Sequence, residues 1–182
     1  MDSNSFLPAP YLIIIFGVSA CGKSTVAKHL AKSLSVAFVE ADAFHSKENI
    51  EHMAAGKPLS DDMREPWMSS ICSHLNHRLS EGKNCVIAHS CLRKQHRQQF
   101  RTLGAHTLFF HLAGNYSLIE KRLRNRVDHF MPPSLLASQF STLESYSEES
   151  DVIQIDIQQP IEQIINIILE HVSNKTLKKE YE

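Results

Sequence analysis

The sequence predicts an α/β fold: a five-stranded parallel sheet flanked by helices. Three observations predict it. Strand-like apolar runs alternate with helical patterns along nearly the whole chain. The first run, Tyr11-Leu12-Ile13-Ile14-Ile15-Phe16, is apolar throughout, as a strand buried on both faces requires. It leads into Gly17-Val18-Ser19-Ala20-Cys21-Gly22-Lys23-Ser24-Thr25, which reads G-x-x-x-x-G-K-[ST] between a strand and a helix.

The elements follow in order. After the strand at 11–16, Val26, Ala27, Leu30, Ala31 and Leu34 recur at helical spacing and predict a helix over 23–34. A second strand is expected at 36–40, ending in Glu40, and a helix at 46–55. The stretch 55–65 is polar and proline-containing and reads as irregular. A helix over 66–81 then opens on Pro66, a residue favoured at the first helical position. Cys-Val-Ile-Ala marks a strand at 84–89, followed by a helix at 93–102. The apolar run 106–112 is the fourth strand, followed by a helix at 116–126. The irregular stretch 127–133 precedes a helix at 133–143. The last strand is expected at 151–155. Ile161, Ile164, Ile165, Ile168, Leu169 and Val172 share one face of a final helix, 161–173, with Pro160 at its start.

At 182 residues, with 42% hydrophobic and 21% charged residues, the chain suits one soluble domain. Residues 1–10 are expected to be a disordered N-terminal segment, 11–173 the P-loop domain with a lid at about 122–133, and 174–182 a charged tail. A net charge of −1 offers no basic field for nucleic acid or an anionic membrane. No apolar run approaches a membrane span, and the first residues lack the pattern of a signal peptide. Cys21, Cys72, Cys85 and Cys91 form no CxxC pair, which points to a reducing, cytoplasmic location. Cys72, His74 and His77 read as an incidental grouping, not a metal site.

The loop at 17–25 fixes the ligand class. Its backbone N–H groups and the helix N-terminus form a concave anion site for the phosphates of ATP. Lys23 neutralises the β/γ-phosphates and the Ser24 hydroxyl suits Mg²⁺. In an open α/β sheet, ligands sit beyond the carboxyl ends of the strands. Glu40 and Asp42 fall there, two residues apart, so an extended chain would aim both the same way. We assign Glu40 to metal support and Asp42 to activation of an attacking hydroxyl, since phosphoryl transfer needs little beyond positioning and charge neutralisation. A guanine-nucleotide switch is disfavoured, because no N-K-x-D sequence is present. Arg122 and Arg126 stand i,i+4 on one helix face, where they would close over ATP, stabilise transition-state charge and exclude water. Trp67, after a proline at a helix start, is expected to be a core anchor.

The chain then resembles the gluconokinases, small P-loop kinases acting on the 6-hydroxyl of D-gluconate. The likeness is carried by G-V-S…G-K-S at 17–24, by Glu40-Ala41-Asp42-Ala43-Phe44-His45 and by Asn49-Ile50-Glu51-His52-Met53. It continues through Gly56-Lys57-Pro58-Leu59 and Met63-Arg64-Glu65-Pro66-Trp67. Ser90-Cys91-Leu92-Arg93-Lys94 with Arg97 is similar to the family's S-A-L-K-x-x-Y-R. His129-Phe130-Met131-Pro132-Pro133 and Gln139-Phe140-Ser141-Thr142-Leu143-Glu144 are similar to its lid and the helix after it. The resemblance spans about 12–172. It implies ATP, Mg²⁺ and D-gluconate, with 6-phospho-D-gluconate as product entering the pentose phosphate pathway, and by analogy a homodimer. It implies that Arg64 binds the substrate carboxylate through a guanidinium fork, with His45, Arg97 and His129 as further substrate-binding residues. A kinase for another small hydroxy acid or sugar acid, and a nucleotide-binding scaffold with little catalysis, are the alternatives.

Three positions depart from the family pattern. Met63 stands where Asp usually precedes the arginine, Asp128 replaces a glycine before the lid histidine, and Ala20-Cys21 replaces Gly-Ser. Cys21 has two readings: a thiol made reactive by Lys23 and the helix N-terminus, or an inert small side chain.

Overall fold

The computed structural model describes residues 10–125 and 132–177. Five parallel strands form one sheet in the order β2-β3-β1-β4-β5: β1 Tyr11–Phe16, β2 Ala37–Glu40, β3 Cys85–His89, β4 His106–Ala113 and β5 Val152–Asp156. Among the described residues the helices are α1 Lys23–Leu34, α2 Lys47–Ala54, α3 Asp61–Ser80, α4 Lys94–Arg101, α5 Tyr116–Arg124, α6 Leu136–Thr142 and α7 Ile161–Leu177. Short 3-10 turns lie at Ala41–Phe44 and Pro133–Leu135.

The uniformly apolar β1 follows from its central place. Tyr11, Ile13 and Ile15 face one core with α1, α5 and α7, while Leu12, Ile14 and Phe16 face another with α3 and Phe100 of α4. Period-two alternation thus fills both faces, and each fully buried Ile or Leu contributes roughly 1.5–3 kcal/mol. The isoleucine stripe of α7 behaves as its spacing predicts: Ile164, Ile165, Ile168 and Val172 are buried against the first core. The helix runs on to Leu177, past the expected end at 173. The order in which strands are added reverses beside β1, and such a switch point opens a crevice at the strand ends.

One difference bears on the site. The helix expected to begin at Pro66 begins at Asp61, inside the stretch expected to be irregular. Ser60 is its N-cap and accepts the Met63 N–H at 3.3 Å, and Asp61 and Asp62 complement the positive end of the helix dipole. The capping signature outweighs the preference of proline for the first position, at the cost of one intrahelical bond at Pro66. Arg64 therefore stands on a rigid first turn, not on a loop.

Arg126, Asp128 and His129, and with them half of the expected lid, lie outside the described residues, as do 1–9 and 178–182. Among the described residues, no helix is long and apolar enough to cross a membrane.

Candidate active site

A cleft of about 320 Å³ opens at the carboxyl ends of the strands. The P-loop forms one wall through Ser19, Ala20, Gly22, Lys23, Ser24 and Thr25. Its backbone is tightly constrained. Gly17 has φ 143°, and a Cβ there would lie 2.9 Å from Cys21 Sγ and 3.0 Å from the Leu112 carbonyl. Gly22 caps α1 at φ 104°. Both conformations favour glycine. Ala20 sits at φ 61°, a left-handed conformation that costs a Cβ-bearing residue about 1 kcal/mol, so the family's glycine suits this backbone better. Lys23 Nζ donates to the Val18 carbonyl at 2.9 Å, which holds the ammonium over the loop. The Ser19 N–H donates to Gln139 Oε1 of α6 at 2.6 Å.

Cys21 settles on the inert reading. It is 2% exposed within the first core, and burial pushes its thiol pKa up despite the opposing pull of Lys23. Val18 is likewise buried and supports the loop from beneath.

Glu40 and Asp42 do not act as a same-side pair on an extended strand. The chain turns into the 3-10 segment at 41–44 between them. Asp42 lines the cleft, with its side chain 40% exposed. Glu40 turns back to Ser24, whose side chain hydrogen-bonds its carboxylate; burial raises the Glu40 pKa and that bond opposes the rise. The single intervening residue, Ala41, is fully buried, and its carbonyl accepts Trp67 Nε1–H at 2.8 Å.

Trp67 is a core residue, 4% exposed, and also part of the cleft wall. Its indole is the middle layer of a stack. His45 lies on one face at 4.2 Å between centroids, and His89 of β3 on the other at 4.5 Å. His89 Nδ1 accepts the Cys91 N–H at 2.8 Å, so its proton is on Nε2, which lies 3.1 Å from Met68 Sδ. Burial pushes the His89 pKa well below the ordinary value, so the ring is neutral at pH 7. His45 is also lowered, by burial first, against the pull of Asp42, whose Oδ1 lies 4.0 Å from its Nε2. The stack holds a neutral imidazole beside Asp42. Trp67→Phe is expected to lose about 1 kcal/mol with the Ala41 hydrogen bond. It should also raise acceptor KM several-fold more than ATP KM, because His45 loses half its platform. Urea unfolding and steady-state kinetics check this; equal changes in the two KM values would count against it.

The third wall comes from α3 and the start of α4. Arg64, 18% exposed at its side chain, lines the cleft and donates to Asp61 Oδ1 at 2.8 Å. Met63, partly buried, packs against Met53, Leu59 and Leu135, and its carbonyl accepts from Asn49 Nδ2 at 3.0 Å. Met63 itself does not line the cleft, but these three apolar partners do, so the family's aspartate is replaced by an apolar residue directly behind the cleft wall. Arg93 and His96 also line the cleft. Arg122 reaches it from α5 while donating to the Ile157 carbonyl at 2.9 Å.

Arg97 is the clear correction. Expected at the substrate, it is fully buried (0% exposed) away from the cleft. Its Nε and Nη2 meet Glu149 at 2.7–3.2 Å, Nη1 donates to the Cys91 and Leu92 carbonyls, and Nη2 also reaches those of Glu144 and Ser145. Every donor direction of the fork is spent inside the protein. Arg97 ties the loop carrying Ser90 and Arg93 to the segment after α6.

An AAA domain model, a P-loop class, matches residues 12–145. The gluconokinase of Arabidopsis thaliana is 42% identical over 176 residues, covering 90% of this chain and 93% of its own. The thermoresistant gluconokinase of Escherichia coli is 37% identical over 161 residues, covering 88% and 92%. This chain belongs to the gluconokinase family. The crystal structure of a gluconokinase from Sinorhizobium meliloti superposes with a TM-score of 0.83 at 33% identity, covering 96% of this chain and 98% of that one. More distant kinases, such as a deoxyadenosine kinase from M. mycoides at 12% identity, share the fold alone.

Within this gluconokinase fold, Trp67, Arg93, His96, Ser138, Gln139 and Thr142 line the cleft without having been singled out as site residues in the sequence. Two signals could have found all of these except Trp67. Arg93 and His96 stand i,i+3 just past the end of a buried strand, and Ser138, Gln139 and Thr142 share one polar helix face.

Proposed function

We propose that this chain transfers the γ-phosphoryl group of ATP to the 6-hydroxyl of D-gluconate, releasing ADP and 6-phospho-D-gluconate. The observation that carries the reading is one cleft with a P-loop on one wall, Asp42 on the 3-10 turn just past β2, and Arg64 on a rigid helix turn. The P-loop N–H groups and Lys23 hold the triphosphate, with Arg122 adding positive charge. Asp42 accepts the proton of the attacking hydroxyl as the O–P bond forms, and ADP leaves. His45 hydrogen-bonds the polyol as donor or acceptor. Arg64 takes the carboxylate. Arg126 and His129 are proposed to complete the site from the lid.

Mg²⁺ fits the residues present. Ser24 offers a hydroxyl oxygen backed by the Glu40 carboxylate. Among the described residues, no group of three His, Cys, Asp or Glu could hold a metal. That suits Mg²⁺, which keeps phosphate oxygens and waters as most of its ligands. When bound, it supplies charge neutralisation on the β/γ-phosphate oxygens.

ADP release with gluconate, shikimate and a panel of sugar acids tests the reading. Gluconate is expected to give the highest kcat/KM. A higher value for another acid would reassign the acceptor, and nucleotide binding without acceptor-dependent turnover would remove the kinase assignment.

A further inference from the structure

A second guanidinium shares the wall with Arg64. Arg93 is the N-cap residue of α4, and its side chain is one-third exposed (34%) at the cleft. Its Nε lies 3.2 Å from Asp61 Oδ1, the same oxygen that accepts from Arg64 Nη1 at 2.8 Å. One carboxylate oxygen is thus flanked by two guanidiniums. Asp61 is half-exposed and does not line the cleft, so it braces the pair from outside. Arg93 Nε is buried, and among the described residues it makes no well-aligned hydrogen bond, even to Asp61.

Two arginines against one aspartate leave this wall with a surplus positive charge. Glu144, beside the start of α4, accepts the Lys94 N–H at 2.5 Å, and Asp42, which also lines the cleft, is 4.0 Å from His45. His96 adds no charge. It is 4% exposed, and burial, then Arg64 and Arg93, hold its pKa down to about 4. The ring is left as a neutral hydrogen-bonding group beside the arginines. Crowding two guanidiniums into a partly desolvated wall is unfavourable on its own, since each disfavours the charge of the other. A planar anion in the cleft relieves that repulsion and fits the fork geometry of guanidinium.

We propose that Arg93 joins Arg64 as an acid-reading pair, and that Arg93 determines selectivity for a carboxylate-bearing polyol over its uncharged isostere. The proposal rests on the reading of this cleft as an aldonate-kinase site. Lys23 and the P-loop recognise the donor, and the Arg64–Arg93 pair recognises the far end of the acceptor.

The test compares D-gluconate with D-gluconamide, in which a neutral amide replaces the carboxylate. Dissociation constants are measured by calorimetry for the full chain and for Arg93→Gln and Arg93→Lys. The unsubstituted protein is expected to bind gluconate about 30-fold more tightly than the amide, the scale of charged hydrogen bonds at a partly buried site. Arg93→Gln should reduce that ratio to about 3 or less, and Arg93→Lys should fall between, since it keeps the charge and loses the fork. A ratio in Arg93→Gln within twofold of the unsubstituted protein would overturn the proposal. If circular dichroism shows Arg93→Gln unfolded, Arg93→Lys decides: an undiminished ratio overturns the proposal. The two readings separate cleanly. A protein that prefers a different acid overturns gluconate as acceptor, and the same comparison on that acid and its amide then decides Arg93. Preference for gluconamide, or binding of no acid at all, overturns both.

Discussion

Asp42→Asn is expected to lower kcat by about 10²–10⁴-fold while MgATP still binds, the range a positioned general base contributes. The substitution is isosteric. It keeps a hydrogen-bonding group at the cleft and removes only the ability to take a proton. Asp42 is the carboxylate suited to this task. It lines the cleft, whereas Glu40 turns away to Ser24. Its neighbour His45 is held neutral by burial and by the stack on Trp67, so it does not compete as a cation for the carboxylate. A loss confined to kcat, with ATP affinity within threefold by calorimetry, fits a group that acts mainly in the transition state. A near-normal kcat would remove Asp42 from the role of base.

Arg97→Leu is expected to destabilise the fold by about 3–5 kcal/mol, the cost of stranding one member of a buried ion pair. For a chain of this size that lowers Tm by roughly 10 °C. Glu149 would keep only Arg101, whose Nη2 lies 2.6 Å away, and four backbone carbonyls would lose a donor. The effect depends on pH. Hydrogen bonds and charge from Arg97 and Arg101 hold the Glu149 carboxyl at about 2, below its ordinary 4.5. The stabilisation is therefore complete above about pH 4.5 and lost as pH falls toward 2. His96 and His111, with pKa values lowered by burial to about 4, add an earlier loss between about pH 6.5 and 4, since they bind protons on unfolding. Urea unfolding at pH 7, 5 and 3 should show Arg97→Leu losing the same amount at pH 7 and 5 and clearly less at pH 3. Unchanged stability together with a 30-fold rise in acceptor KM would return Arg97 to the substrate site.

Where local pattern and burial agreed, the sequence was legible. The apolar 11–16 run, the P-loop after it and the α7 isoleucine stripe occupy the places their periodicity predicts. The start of α3 was misread because Pro66 carries a strong signal for a first helical position, while the Ser60 cap and the acidic first turn carry a stronger one in context. Arg97 was misread for a different reason. An arginine suited to a carboxylate can find one in a ligand or in its own chain, and spacing does not distinguish Glu149, far along the sequence, from a sugar acid.

By itself the sequence determined the donor side: a phosphate-binding loop between strand and helix, with Lys23, Ser24 and the glycines local to one another. That information is local because an anion nest is made of successive backbone groups. The acceptor side was decided by tertiary structure. Trp67 stacked between His45 and His89, Asp61 bracing Arg64 and Arg93, and Arg97 withdrawn into a buried pair are contacts between elements distant in sequence. Their chemistry depends on burial and on which charged partner is nearest. Neither is encoded at any single position, and both appear only once the sheet and helices have packed.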